Sequence, residues 1–179
     1  LYQGTVVTRQ ETQDSITYTL KEDLSFSGFR TEDTVFAGSV FFNQLADHTR
    51  PASESVMTFT GTGMSMSFDD CSSIHSDRWV NDNEGGGANR GRTLALTAMG
   101  DLSFNNCKSI VNADTNAGGA VNARGDITFS HMGNISFTNN MLGDDSQQGQ
   151  ALGGALFTWG KIDFENTKSI LFSGNSTGH

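Results

Sequence analysis

Short runs in which apolar and polar residues alternate recur along the chain, and they come in pairs. Val56-Met57-Thr58-Phe59 is followed by Met64-Ser65-Met66-Ser67-Phe68, and Leu94-Ala95-Leu96 by Asp101-Leu102-Ser103-Phe104. The series continues as Asp126-Ile127-Thr128-Phe129 then Asn134-Ile135-Ser136-Phe137, and as Ile162-Asp163-Phe164 then Ile170-Leu171-Phe172. An incomplete copy, Ile16 to Leu20 then Leu24-Ser25-Phe26, precedes them all. A period of two sends successive side chains to opposite faces, so each run predicts a strand with one apolar face. No stretch carries helical periodicity long enough to make a crossover helix.

A second recurring element punctuates these pairs. Ala37-Gly38-Ser39-Val40, Gly86-Gly87-Ala88-Asn89, Gly118-Gly119-Ala120-Val121 and Gly153-Gly154-Ala155-Leu156 align, with the later spacings near 35 residues. A fixed period of that length signals a stacked repeat architecture. The glycine pairs Gly86-Gly87, Gly118-Gly119 and Gly153-Gly154 read as corners, where the missing Cβ lets backbones approach. The predicted fold is all-β: a right-handed parallel β-helix, a solenoid of about four to five coils with three short strands per coil. Residues 1–36 read as an N-terminal cap or irregular first coil and 37–179 as β-helix repeats in one structural domain. Equivalent residues of neighbouring coils then lie about 4.8 Å apart, so Phe26, Phe68, Phe104, Phe137 and Phe172 should form one interior ring stack.

Composition sharpens this reading. Among 179 residues there are 21 Gly but one Pro, and thirteen Phe against two Trp and two Tyr. A linker-like chain would carry both Gly and Pro in quantity, and the excess of Phe suits ring-filled interior positions. The net charge of −9 and the lack of a Lys/Arg cluster argue against nucleic acid and against anionic membrane surfaces. No run of apolar residues is long enough to span a bilayer, so direct membrane insertion of this segment is not expected. Leu1-Tyr2-Gln3-Gly4 has none of the zones of a signal peptide, which reads as a mature segment or a piece of something longer.

The paired motifs resemble the chlamydial polymorphic membrane proteins, autotransporters whose passengers carry many copies of Gly-Gly-Ala-[Ile/Leu/Val] and Phe-x-x-Asn. Gly118 to Val121 and Gly153 to Leu156 match the first motif, and Phe137-Thr138-Asn139-Asn140 and Phe172-Ser173-Gly174-Asn175 the second. The resemblance covers residues 37–179. It departs at Asn89, at the Ala-Gly-Ser-Val copy, and where Cys71 and Cys107 take the Asn slot after Phe68 and Phe104. It implies a surface-exposed passenger at the bacterial outer membrane, extracellular or secreted, that binds a protein or glycan receptor on host cells. Self-association stays open, as do two other functions: a carbohydrate-active β-helix enzyme and a purely structural stalk.

Candidate chemistry is sparse. His48, His75, His131 and His179 sit in unrelated contexts, and no metalloprotease, serine-hydrolase or metal-spaced Cys/His motif is present. The expectation is a non-catalytic protein with no metal and no cofactor. The oxygen-rich Asn81-Asp82-Asn83-Glu84-Gly85 lacks the order of a calcium loop. Arg124-Gly125-Asp126 has the form of an integrin-type tripeptide, but Gly125-Asp126 equally suits a turn leading into a strand. Cys71 and Cys107 share a slot in consecutive repeats, which leaves two outcomes open, a disulfide or thiols packed one above the other. Asn140 and Asn175 fill that slot elsewhere and read as structural, their amides bonding turn backbone or each other.

The variable segments, Ser72 to Gly85, Lys108 to Ala117 and Met141 to Leu152, should leave equivalent corners and project from one edge. A further insertion, Ala46 to Ser55, contains Pro51. Loops on a rigid scaffold are the usual place for recognition. Asp77, Arg78 and Trp79 form the candidate binding segment, with Arg124, Gly125 and Asp126 as the second choice, because Trp and Arg are enriched at interface hot spots.

Overall fold

The computed structural model describes residues 2–3, 5–28, 39–42, 55–76, 92–109, 115–117, 120–123, 125–142, 150–158 and 160–177. Every regular element among them is a strand, numbered here along the chain. The largest sheet contains β1 (Tyr2–Gln3), β2 (Val7–Glu11), β3 (Ser15–Leu20), β6 (Ser55–Thr60), β9 (Arg92–Thr97), β14 (Ile127–Ser130) and β19 (Ile162–Glu165), neighbours in that order. The second runs β20 (Ser169–Ser173), β15 (Asn134–Thr138), β10 (Leu102–Asn105), β7 (Met66–Asp69), β4 (Leu24–Ser27). The third runs β18 (Leu156–Thr158), β13 (Val121–Ala123), β8 (Ser72–Ser76), β5 (Ser39–Phe42). Two short ladders join β11 (Lys108–Ser109), β16 (Met141–Leu142) and β21 (Ser176–Thr177), and β12 (Thr115–Ala117) with β17 (Gln150–Leu152). Within the described residues no sheet closes on itself.

Pairing is parallel everywhere except at the start, where β1–β2 and β2–β3 are antiparallel. The registers keep chemically equivalent residues side by side. Ile16 faces Met57, then Leu94, Ile127 and Ile162; in the second sheet Phe26 faces Phe68, then Phe104, Phe137 and Phe172. A one-residue slip would turn every apolar side chain outward, which is why alternation fixes the register so firmly. The inward set, including Met57, Phe59, Leu94, Leu96, Leu102, Phe104, Ile127 and Phe129, has no solvent exposure. One hydrophobic cluster gathers these with Val121 and Ala123, so the three large sheets share a core.

Ring stacking runs the length of the second sheet, with centroid spacings of 5.1, 4.9, 5.0 and 4.9 Å from Phe26 to Phe172. Edge-on contacts of Phe129 with Phe137 and of Phe164 with Phe172 lock the first sheet to the second. Offset and edge-on arrangements are those the ring quadrupole favours.

Several expectations are corrected in detail. Ser15–Leu20 and Leu24–Ser27 pair in parallel with the repeat strands β6 and β7, and the antiparallel β1–β2 pair precedes them. The later repeats carry short extra strands beyond the expected three: Lys108–Ser109 pairs in parallel with Met141–Leu142, and Thr115–Ala117 with Gln150–Leu152. The segments expected to vary from Ser72, Lys108 and Met141 therefore begin as strands, and Ser55, assigned to an insertion, opens β6. In the third sheet Phe41, not Val40, aligns with Ile74 and so with Val121 and Leu156. Ile74 is the described partner of Val121 on that side, and the Gly86 to Asn89 copy lies outside the described residues. Phe172 stacks on Phe137 but is 48% exposed, with no described residue stacked on its other face.

Candidate functional site

The repeated polar positions of the chain are grouped around the turn that leaves the second sheet. Two residues past each Phe the backbone enters the left-handed region, at Gly28, Asp70, Asn106, Asn139 and Gly174. Short polar residues and glycine tolerate that conformation best, which accounts for the residue types found there. The next residue, three past the Phe, then turns inward: Cys71, Cys107 and Asn140 are all fully buried.

A buried amide needs partners, and Asn140 finds them in both adjoining repeats. Its Oδ1 accepts from the Cys107 N–H at 2.9 Å, and its Nδ2 donates to the Phe104 carbonyl at 3.1 Å. Nδ2 and the backbone N–H of Asn140 both donate to Asn175 Oδ1, at 2.8 and 3.0 Å. Asn175 repeats the geometry one step on, its Nδ2 donating to the Phe137 carbonyl at 2.8 Å. Each amide thus reaches back and satisfies backbone groups of the preceding repeat.

Cys107 imitates half of this. Its thiol lies 3.7 Å from the Phe68 carbonyl, the position an Asn Nδ2 would serve, while Cys71 Sγ sits 3.1 Å from the Asp69 carbonyl. Both are free thiols, at one register position two residues beyond the paired Asp69 and Asn105. Parallel neighbours sit about 4.8 Å apart, inside the roughly 4.4–6.8 Å between Cα atoms that a disulfide accepts, so spacing alone does not forbid a bridge. Each thiol is instead turned toward a backbone carbonyl, so the folded chain should remain a dithiol. Alkylation in denaturant without reductant should add two carbamidomethyl groups, whereas a mass two protons lower and unreactive would establish a bridge.

A second ladder, at the entry to the second sheet, escaped the sequence reading. Asp23 Oδ1 accepts from Ser65 N–H at 2.8 Å, Ser65 Oγ from Asp101 N–H at 3.0 Å, and Asp101 Oδ1 from Asn134 N–H at 2.7 Å. Ser169 Oγ then donates to Asn134 Oδ1 at 2.8 Å. The signal was present as a short polar residue immediately before each inward Leu, Met or Ile at that point of the repeat.

The remaining candidates divide by position. Gly125 is buried and its carbonyl accepts from Thr158 Oγ1, while Asp126 Oδ1 accepts from the Lys161 N–H at 2.9 Å and the Asp126 carbonyl from the Leu94 N–H. Gly125 and Asp126 thus hold a turn against its neighbours, a structural role for two-thirds of the integrin-type tripeptide. Arg124, the segment Asp77-Arg78-Trp79, and the glycines Gly86, Gly87, Gly118 and Gly119 lie outside the described residues. The third glycine pair is described. Gly153 adopts φ +73°, and a Cβ on Gly154 would collide with the Ser176 carbonyl of the last short ladder. Gly154→Val should lower unfolding stability by about 1–3 kcal/mol, the usual cost of overpacking. A urea midpoint unchanged from the parent would show that the corner has room to spare.

Among the described residues no group of three or more His, Cys, Asp or Glu side chains could hold a metal ion. No helix among them is long and apolar enough to cross a membrane. Comparison with protein-family models, with curated proteins and with solved structures finds no match to this chain.

Proposed function

We propose that the chain is a right-handed parallel β-helix forming part of a surface-exposed bacterial autotransporter passenger, an adhesin that attaches to host cells through loops on a rigid scaffold. The observation that carries the scaffold is the parallel register of the second sheet, where successive partners of Leu24 fall at Met66, Leu102, Ile135 and Ile170. Steps of 42, 36, 33 and 35 residues bring the chain back to the same column each time. Returns of that kind follow the right-handed crossover rule for parallel strands. The described polar groups at the turns are engaged in tying one coil to the next, which suits a scaffold and leaves recognition to the segments between strands.

The adhesive role rests on the resemblance of Gly118 to Val121, Gly153 to Leu156, Phe137 to Asn140 and Phe172 to Asn175 to the repeats of chlamydial polymorphic membrane proteins. Its partner would be a protein or glycan receptor on the host cell. The segment between β8 and β9 is longer than a corner requires and holds Asp77, Arg78 and Trp79, residue types suited to an anchor.

Purified chain should attach saturably to cultured epithelial cells, and Trp79→Ala should lose most of that attachment while the unfolding midpoint stays unchanged. Attachment that never saturates would remove the adhesin reading. Attachment surviving Trp79→Ala would move the site elsewhere, and a lowered midpoint would make Trp79 a lid on its own coil.

A further inference from the structure

The column of inward residues at the turn leaving the second sheet changes character partway along the stack. Asn140 reaches back to Cys107 N–H and Phe104 C=O, and Asn175 to Asn140 N–H and Phe137 C=O, so each amide ties its turn to the one before. Cys107 stands where the next such amide would reach back to the Cys71 turn. Its thiol offers one contact there, 3.7 Å to the Phe68 carbonyl, and a thiol is a weak donor and a weak acceptor. Among the described residues no inward amide joins these two turns.

The same two turns are held in register up to the residue before each cysteine. Asn105 Nδ2 donates to Asp69 Oδ1 at 2.7 Å, Asp70 N–H to the Asn105 carbonyl at 3.0 Å, and Asn106 Nδ2 to Asp70 Oδ1 at 3.2 Å. Cys71 and Cys107 follow directly, both free and both fully buried. Each Sγ is turned toward the carbonyl two residues back, at 3.1 Å for Cys71 and 3.7 Å for Cys107. Equal orientations in neighbouring coils about 4.8 Å apart set one sulfur above the other, at a Cα spacing that a disulfide accepts. Turning a thiol away from its carbonyl gives up only a weak contact.

We propose that Cys71 and Cys107 form a redox clasp, a dithiol that a small disulfide converts to a bridge between coils, supplying covalently the tie that Asn140 and Asn175 supply by hydrogen bonds further along the column. One cysteine thiolate attacks a sulfur of the small disulfide, forming a mixed disulfide and releasing the first small thiol; the other attacks the protein-side sulfur and releases the second. Two electrons and the two thiol protons pass from the protein to the small disulfide, which leaves as two thiols. Because both sulfurs are enclosed, exchange waits on local opening of the turn, and a bulky mixed disulfide has no room to persist once the turn closes. The bridge closes a loop over residues 72–106, which includes Asp77, Arg78 and Trp79, so it fastens the part of the chain to which recognition is assigned. The inference rests on the stacked register of the proposed scaffold and is independent of adhesion.

The test uses the folded chain in a glutathione buffer with the oxidised form in excess, followed by acid quench, alkylation in denaturant and intact mass. The expected product is a monomer two protons lighter, with no glutathione attached and no alkylation. The chain has two cysteines, so such a bridge joins Cys71 to Cys107. Its urea midpoint should rise by about 1 M over the reduced chain, the shift that a typical disulfide gives at a typical urea slope, and fall back on reduction. Cys107→Ser should show neither the bridge nor the rise; if that variant does not fold, the parent compared in its two redox states still decides. Free thiols under conditions that fully oxidise the same chain in urea would overturn the proposal. So would two glutathione adducts, a disulfide-linked dimer, or a bridge that leaves the midpoint unchanged or lower. These readouts do not involve cells, so failure here is distinct from failure of the adhesin reading.

Discussion

Phe104→Ala is expected to destabilise the protein by about 3–5 kcal/mol, the range for removing a buried aromatic side chain. The size follows from its surroundings. Phe104 is stacked at 4.9 Å on Phe68 and at 5.0 Å on Phe137, and it has no solvent exposure. Collapse into the hole is opposed from both sides, since β7 and β15 are held to β10 by their own ladders and cannot approach. Phe172→Ala removes the same ring from a half-exposed position and should cost clearly less. Equilibrium urea unfolding of both variants tests the ranking. Equal losses would mean that Phe104 is not enclosed.

Asn140→Leu should also be damaging, for a different reason. The leucine keeps roughly the side-chain volume but supplies neither donor nor acceptor, so the buried Cys107 N–H loses its acceptor, while Phe104 C=O loses one donor and keeps its place in the ladder with β15. The stranded N–H costs about 1–3 kcal/mol. Asn175→Leu, in a half-buried slot where water can reach, should cost less. Hydrogen exchange offers a second readout: the Cys107 amide should lose protection in Asn140→Leu while the Ile16 amide keeps it. If Asn140→Leu is neutral, the amide ladder adds nothing to stability.

Much of this was legible in the sequence because every repeat meets the same demand at the same place. The Phe column could be read from Phe68, Phe104 and Phe137 since a period-two strand has one inward face, and amides bonding turn backbone or each other followed from the recurrence of Asn140 and Asn175. What escaped depended on neighbours rather than on letters. The third-sheet strand paired with Val121–Ala123 is Ser72–Ser76, a stretch read as a variable segment because a parallel ladder asks only for backbone groups and leaves no apolar alternation to recognise. Asp23, Ser65, Asp101 and Asn134 form a ladder in which carboxylate, hydroxyl and amide oxygens serve alike, so no single residue type marks the column. The exposure of Phe172 differs from that of Phe137 although the residue and its place in the repeat are the same, so identity alone does not encode it. Asp126 shows the converse hazard, since a tripeptide with a familiar spelling places its carboxylate on the Lys161 N–H.

The central claim is that successive repeats stack in parallel, in register, around one column of rings tied by a column of amides. A crystal structure of the chain measures this most directly. The account predicts Phe68, Phe104 and Phe137 in one column with centroids about 5 Å apart, and Asn140 Oδ1 within hydrogen-bond distance of Cys107 N. Antiparallel pairing of 102–105 with 134–138, or rings placed on different faces, would contradict it.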